Sequence, residues 1–282
     1  MTPTLVRQHP PHAGARPRVD LRARARDWSE IQERMLVPLI ETVYERLDIG
    51  PATRLLGLGC GSGLALLMAA SRGASITGVD TSADRLDLAR QRLLPDGREA
   101  PARAETRIVD GPVRAAARPE TGGYNVVTAF EPIGCRSGDA EGLGELLAEA
   151  TPLAERGAAV VLAGWGPPER CTTASVLRVA TKLAEPLRSA WRPAHRDDLE
   201  EVAQRAGLRP DGSGRVACPF GYADVDSAVR GLKSTGLFDA AISATDQVQV
   251  DKELTEALHP YRRPDGTVWM PNIFRYLIAR TG

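Results

Sequence analysis

The fold is constrained most by a run of alternating glycines at residues 55–63, which lies between a short apolar segment and a helical one. Glycines at such a turn let backbone N–H groups approach a ligand closely at the start of a helix. The next apolar run, 75–79, ends at Asp80, and a carboxylate at the end of a strand can accept hydrogen bonds from both hydroxyls of a ribose. The combination predicts a parallel α/β sheet with a nucleotide-type site at its carboxyl edge.

The rest of the chain extends this pattern. Helical periodicity over 28–47 precedes the first strand, and helical patterns at 61–71, 83–94 and 140–154 alternate with apolar runs. Alternation at this spacing predicts a parallel sheet with helices on both faces. The runs that we interpret as strands are 54–58, 75–79, 106–109, 124–129, 158–163, 215–218 and 273–279.

Composition excludes several classes of function. The 282 residues carry a formal net charge of +0, so no overall field favours nucleic acid or an anionic membrane. The four cysteines form no CxxC pair, so we expect neither a metal site nor a redox motif. No apolar run has membrane-spanning length, and the first residues lack the apolar core of a secretion signal. We therefore expect a cytoplasmic protein without a membrane or nucleic-acid partner; the oligomeric state stays open, a homodimer included.

The glycine spacing separates two families that share this architecture. The dinucleotide fingerprint is G-x-G-x-x-G/A, and here Ser62 or Leu64 would stand in its third glycine place. The observed G-x-G-x-G spacing, followed by Asp80, resembles motif I of the class I S-adenosylmethionine (SAM)-dependent methyltransferases. The spacing therefore disfavours a nicotinamide oxidoreductase.

The resemblance continues downstream and covers the chain from about Trp28 to its end. Ile108-Val109-Asp110-Gly111 is similar to the third motif of the family. Residues 124–130 resemble the fourth-strand motif, and residues 157–161 resemble the glycine-led fifth strand. Later stretches look like a bacterial small-molecule branch related to the quinone-biosynthesis type.

This resemblance implies a Rossmann-like, doubly wound, seven-stranded sheet with its last strand antiparallel and a helical lid insertion. We expect a single methyltransferase domain over 21–282, with an N-terminal helix at 21–50 and the lid at 167–237. Residues 1–20 are rich in proline and arginine, which predicts a disordered basic tail.

The implied cofactor is SAM. Asp80 would bind the ribose, Asp110 would meet the adenine amino group, and Trp28 on the first helix would cover the methionine moiety. Gly57 departs from the family, which has an acidic residue there that helps to hold the methionine end of the cofactor. The expected cofactor contacts are Trp28, Gly57, Gly59, Cys60, Gly61, Asp80, Thr81, Asp110, Gly111 and Phe130.

Two residues are candidate bases for an acceptor that must lose a proton. His195 precedes a helix that we place near the acceptor, where a cap or surface role is the alternative. Glu131 follows the fourth strand and would face the reactive end of the cofactor, where the alternative is a solvated loop carboxylate. The aromatic candidates for an acceptor pocket, which a lid core would explain equally well, are Trp165, Phe220, Tyr222 and Trp269.

The sequence favours SAM-dependent methylation of a small, hydrophobic metabolite, because the expected lid is rich in apolar and aromatic residues. The alternative from another class is a non-catalytic SAM-fold protein that acts as a regulator or partner subunit, which Gly57 favours. A nucleic-acid methyltransferase is opposed by Phe130-Glu131-Pro132-Ile133, where such enzymes carry an Asn-Pro-Pro-Tyr-type motif. The sequence identifies neither the acceptor nor the methylated atom.

Overall fold

The computed structural model describes residues 20–94, 105–118, 122–184 and 198–282. A mixed sheet of seven strands lies at its centre, and two further short strands pair with each other. The strands are β1 Arg54–Leu58, β2 Ser75–Asp80, β3 Thr106–Asp110, β4 Tyr124–Ile133, β5 Ala154–Trp165, β6 Arg209–Ala217, β7 Phe220–Tyr222, β8 Val268–Met270 and β9 Ile273–Arg280.

The sheet order is β3-β2-β1-β4-β5-β9-β6. Strands β1 to β5 pair in parallel, whereas β9 runs antiparallel to both β5 and β6. This confirms the predicted Rossmann-like sheet with its last strand antiparallel. The helices of the described ranges are α1 Leu21–Asp27, α2 Val37–Arg46, α3 Leu64–Ala70, α4 Ala83–Leu93, α5 Asp139–Ala150, α6 Thr173–Ala184, α7 Asp198–Arg205, α8 Val225–Ser234, α9 Asp239–Ala244 and α10 Gln247–Leu258.

Continuous apolar strands place a hydrophobic core on each face of the sheet. Val160 and Val161 are 1% and 0% exposed, and they belong to cores on opposite faces. Alternate side chains of a strand point to opposite faces, so β5 is covered on both sides, as its sequence predicts. Within the described ranges, none of the helices has both the length and the apolar character needed to cross a membrane.

The predicted lid at 167–237 needs a correction, because part of it belongs to the sheet. Strand β6 pairs with β9 along its whole length, and α7 packs against α5. Strand β6 alternates between exposed and half-buried residues and begins Arg-Pro-Asp-Gly, so an apolar signal is present only near its end. A cap remains, which we define as α6, α8, α9, α10 and the β7–β8 pair; residues 185–197 lie outside the described ranges.

The predicted N-terminal helix is interrupted. Between α1 and α2 the chain forms a π-helical turn at Trp28–Gln32 and a 3₁₀ turn at Glu33–Leu36; we call residues 28–36 the covering segment. Irregular helical turns of this kind are frequent at functional sites. The tail predicted at 1–20 lies outside the described ranges except for Asp20, which caps α1 through the backbone N–H of Ala23.

The covering segment is tied to the cap on one side. Arg24, just before it, donates two hydrogen bonds to Asp239 at 2.8 and 2.6 Å. The Tyr222 hydroxyl donates to Gln32 Oε1 at 3.0 Å. A Cβ placed on Gly231 of α8 would lie 2.7 Å from Ile31, so the glycine permits this close packing.

Candidate cofactor and acceptor site

The glycine turn follows β1 and requires its glycines. Gly59, Gly61 and Gly63 have φ values of +57°, +57° and +82°, in the left-handed region that other residues enter only with strain. The backbone N–H of Cys60 donates to the Val79 carbonyl at 3.0 Å. The turn is therefore fixed against the end of β2.

Asp80 links this turn to the start of α4. Its Oδ2 accepts from the backbone N–H of Gly61 at 2.8 Å, and its Oδ1 accepts from Ser82 N–H at 2.8 Å. Each carboxylate oxygen can accept a second hydrogen bond, so both oxygens keep capacity for a diol. The structure thus brings together the predicted residues Gly59, Gly61 and Asp80.

The end of β3 lies beside Asp80. Asp110 pairs with Asp80 in the sheet register and is exposed, as is Thr81. Gly111 has φ +124°, and a Cβ placed on it would meet no atom within 4 Å. Asp110 and Thr81 are therefore exposed beside Asp80 at the carboxyl ends of β2 and β3, next to open space at Gly111.

Gly57 faces α3, and its space is already filled. A Cβ on Gly57 would lie 2.9 Å from Leu66 Cδ2. Gly78, its register partner on β2, would also clash with the Leu66 side chain. Leu66 is 1% exposed. An acidic side chain at position 57 would require the buried Leu66 side chain to shift, which is a physical reason for the departure from the family pattern.

Cys60 is a packing residue of the turn. Burial raises the pKa of its thiol to about 12, and the nearby charges of Asp80 and Glu33 add to the effect. A thiol with this pKa is protonated at neutral pH and is a poor nucleophile. The same negative charges would favour a positively charged ligand at the turn.

A buried carboxylate of the covering segment lies on the glycine turn. Glu33 Oε1 accepts from the backbone N–H groups of Ser62 and Leu64 at 3.1 and 3.4 Å. Its Oε2 accepts from the Ser62 hydroxyl and from Arg92 Nη1, the latter at 2.9 Å. Four donors saturate the usual acceptor capacity of a carboxylate, so Glu33 positions the covering segment.

Trp28 completes the cover over the turn. Its Nε1 lies 3.2 Å from the Cβ position of Gly61, and the Arg85 guanidinium lies 4.2 Å from its ring centroid. This Nε1 is buried and lacks a hydrogen-bond partner among the described residues. A buried indole N–H normally finds an acceptor, so its orientation fits a ligand with oxygen atoms.

A cavity of about 370 Å³ opens from the turn beneath the cap. Trp165, Phe220 and Phe274 form an aromatic cluster that lines it, with centroids 4.6 to 5.9 Å apart. Polar residues lie at its rim, among them Glu131 and Arg136. Of the four aromatic residues predicted for the acceptor pocket, Trp165 and Phe220 line this cavity. Tyr222 is instead buried and hydrogen-bonded to Gln32, and Trp269 stacks under Arg263.

The remaining predicted site residues differ in position. Phe130 is 8% exposed and packs edge-to-face on Tyr44 at 5.6 Å, although it also borders a smaller cavity at the turn. Glu131 is exposed and borders both cavities. His195 lies outside the described residues. No group of three or more His, Cys, Asp or Glu side chains within those ranges could hold a metal ion.

The sequence did not predict the contacts among Glu33, Arg92 and Ser62. In a regular helix Glu33 would lie on the face opposite Ile31 and Met35, because those two residues are four positions apart. The change from π to 3₁₀ geometry instead buries Ile31, Gln32 and Glu33 in succession. Only an acidic residue among apolar ones could have signalled this role, and that signal is weak.

The strand order, the single antiparallel strand and the glycine turn bonded to an acid after β2 define the fold of class I SAM-dependent methyltransferases. Comparison with known proteins agrees. Residues 55–151 match the family described as a methyltransferase domain. The family model and the fold therefore agree over this central stretch of the chain.

Individual relatives are more distant. The methyltransferase GfsG of Streptomyces halstedii is 38% identical over 72 residues, which are 25% of this chain and 24% of that protein. The chain thus matches about a quarter of the length of this curated relative. A candidate methyltransferase of Bacillus halodurans C-125 superposes with a TM-score of 0.53 at 15% identity, covering 86% of this chain and 97% of that one. YjhP from E. coli gives 0.52 at 18% identity, covering 92% and 99%. At these identities the two structures show a shared fold.

Proposed function

We propose that this protein transfers a methyl group from SAM to a small, hydrophobic molecule. One observation carries the proposal: a glycine turn bonded to Asp80 opens directly into an aromatic-lined cavity of about 370 Å³. Ligand pockets of this size, mostly apolar with a few polar groups, suit small molecules. The likeness to the quinone-biosynthesis branch stays a prediction.

The residues around the turn fit SAM. Asp80 keeps acceptor capacity for the ribose hydroxyls, and the exposed Asp110, beside the open space at Gly111, can accept a hydrogen bond from the adenine amino group. The unpartnered Trp28 Nε1 faces the turn and can donate to an oxygen of the cofactor. SAM supplies a methyl group bound to a positively charged sulfur, which is an excellent leaving group.

The protein's contribution to such a transfer is alignment and exclusion of water. Trp165, Phe220 and Phe274 form an apolar wall on which a hydrophobic acceptor would be held close to the turn. The covering segment and the cap close the other sides. The two predicted bases stay predictions: Glu131 borders this cavity, and His195 lies outside the described residues.

Calorimetric titration tests the cofactor assignment. We expect the full chain to bind SAM and S-adenosylhomocysteine (SAH) with micromolar dissociation constants, and to show no comparable affinity for NAD⁺. Asp80→Ala should weaken SAH binding by about tenfold to a hundredfold, because it removes charge-assisted hydrogen bonds. An unchanged dissociation constant in Asp80→Ala would contradict the ribose assignment, and absence of SAH binding by the folded wild type would contradict the proposed function.

A further inference from the structure

The structure raises the question of which carboxylate holds the amino group of the cofactor's methionine. The acidic residue expected to do so is absent at Gly57, where any side chain would come into close contact with Leu66. A second carboxylate reaches the same turn from β4. Glu131 Oε2 lies 3.6 Å from the position that a Cβ of Gly59 would occupy.

An irregularity in the sheet directs Glu131 to this position. Strand β4 pairs with β5 through Ala129 and Leu162, and pairing resumes at Ile133 and Gly164. Three residues of β4 therefore lie opposite one residue of β5. Such bulges bend a strand and redirect a side chain, often beside active sites. Pro132 also restricts the backbone of Glu131 to extended conformations.

Glu131 differs from Glu33 in its free acceptor capacity. Glu33 receives four donors. Glu131 has no hydrogen bond or ion pair to any residue in the described part of the chain, although it borders both the small cavity at the turn and the large one under the cap. An anionic group in this position can accept hydrogen bonds from a ligand cation without first breaking a contact.

We propose that Glu131 supplies the carboxylate that position 57 lacks, and that it binds the ammonium group of the cofactor's methionine. The proposal rests on the proposed function, since it assumes SAM at the glycine turn. It makes Glu131 a cofactor-binding residue in place of the candidate base. The carboxylate has moved from the end of β1 to the end of β4, which is the neighbouring strand in the sheet.

Two ligands separate this role from a general effect on the site. SAH carries the ammonium group, whereas 5′-methylthioadenosine has the same adenosine and sulfur without the amino acid. Titration of wild type, Glu131→Gln and the control Glu141→Gln with both ligands gives the answer. Glu141 is an exposed residue of α5 outside both cavities.

We expect Glu131→Gln to weaken SAH binding by about tenfold to a hundredfold, the usual effect of losing a charge-assisted hydrogen bond. Binding of 5′-methylthioadenosine should stay unchanged, which also shows that the variant's site is intact. Glu141→Gln should match the wild type with both ligands.

The outcomes distinguish the two proposals. One outcome is that the wild type binds both ligands and Glu131→Gln either keeps both affinities or loses them equally. The role proposed for Glu131 is then wrong, and the proposed function stands. If wild type binds neither ligand, the proposed function fails and this inference fails with it.

Discussion

The contact between Glu33 and the glycine turn yields the most quantitative prediction, through the variant Glu33→Ala. The substitution removes a cap from two backbone N–H groups at the start of α3, an effect worth about 1 kcal/mol. It also leaves Arg92 without its carboxylate. The Arg92 and Glu33 side chains are 24% and 11% exposed, so this pair contributes about 1–2 kcal/mol, less than a fully buried pair.

The expected loss for Glu33→Ala is therefore about 2–3 kcal/mol of unfolding free energy. Urea unfolding measures it, provided that the slope of the transition stays constant. Glu30→Ala is the matched control, because Glu30 lies in the same segment and is exposed; it should change stability by at most about 0.5 kcal/mol.

A double-mutant cycle with Arg92→Ala isolates the pair. The coupling energy should be at least about 1 kcal/mol, since the two side chains are in direct contact. A Glu33→Ala variant as stable as the Glu30→Ala control would show that this carboxylate does not anchor the covering segment. Additive single effects would refute the pairing with Arg92 alone.

Three further predictions concern packing and reactivity. Gly57→Ala should lower the unfolding free energy by about 1–3 kcal/mol through overpacking. The double variant with Leu66→Ala should lose less unfolding free energy than the sum of the two single losses. Additive losses would contradict the close contact between position 57 and Leu66. Gly231→Ala should destabilise the protein, because the new Cβ would lie 2.7 Å from Ile31 in the covering segment. Gly144→Ala in α5 places its Cβ in open space and should stabilise the protein by up to about 1 kcal/mol. Both are measured by urea unfolding, and a stabilising Gly231→Ala would contradict the close packing. Cys60, with its pKa raised to about 12, should resist iodoacetamide at pH 8 until the protein unfolds, as followed by peptide mass spectrometry; rapid labelling of folded protein would contradict its burial.

The central sheet could be predicted because its strands are continuously apolar. Val160 and Val161 have to be buried on opposite faces, which only a strand covered on both sides allows. The glycine turn and Asp80 could also be predicted. The φ values of +57° at Gly59 and Gly61 favour glycine strongly, so the turn is visible in the sequence as a glycine pattern.

Residues 209–214 of the edge strand β6 and the covering segment could not be predicted from local pattern, whereas the end of β6 overlaps the strand predicted at 215–218. Strand β6 is half exposed and is held by pairing with β9, so its sequence lacks the apolar run that marks an inner strand. The covering segment departs from regular helical geometry because it packs simultaneously against the turn and the cap, and tertiary contacts override its helical periodicity.

The position of Glu131 could be predicted from the sequence only in part. Its position near the end of β4 follows from the apolar run that precedes it, but the three-against-one bulge that turns it toward Gly59 depends on the pairing of two strands distant in sequence. Pro132 is the local signal, because proline in a strand indicates an edge or a bulge. The same bulge gives a structural account of how the chain can lack an acid at position 57 and still hold a cofactor.

A crystal structure of the full chain with SAH would show directly whether the cofactor binds at the glycine turn with its reactive end toward the aromatic cavity. We expect the ribose hydroxyls on Asp80, the methionine ammonium on Glu131 and the sulfur facing the cavity lined by Trp165. SAH bound elsewhere, or excluded from the turn by Glu33 and Trp28, would contradict SAM binding at this site.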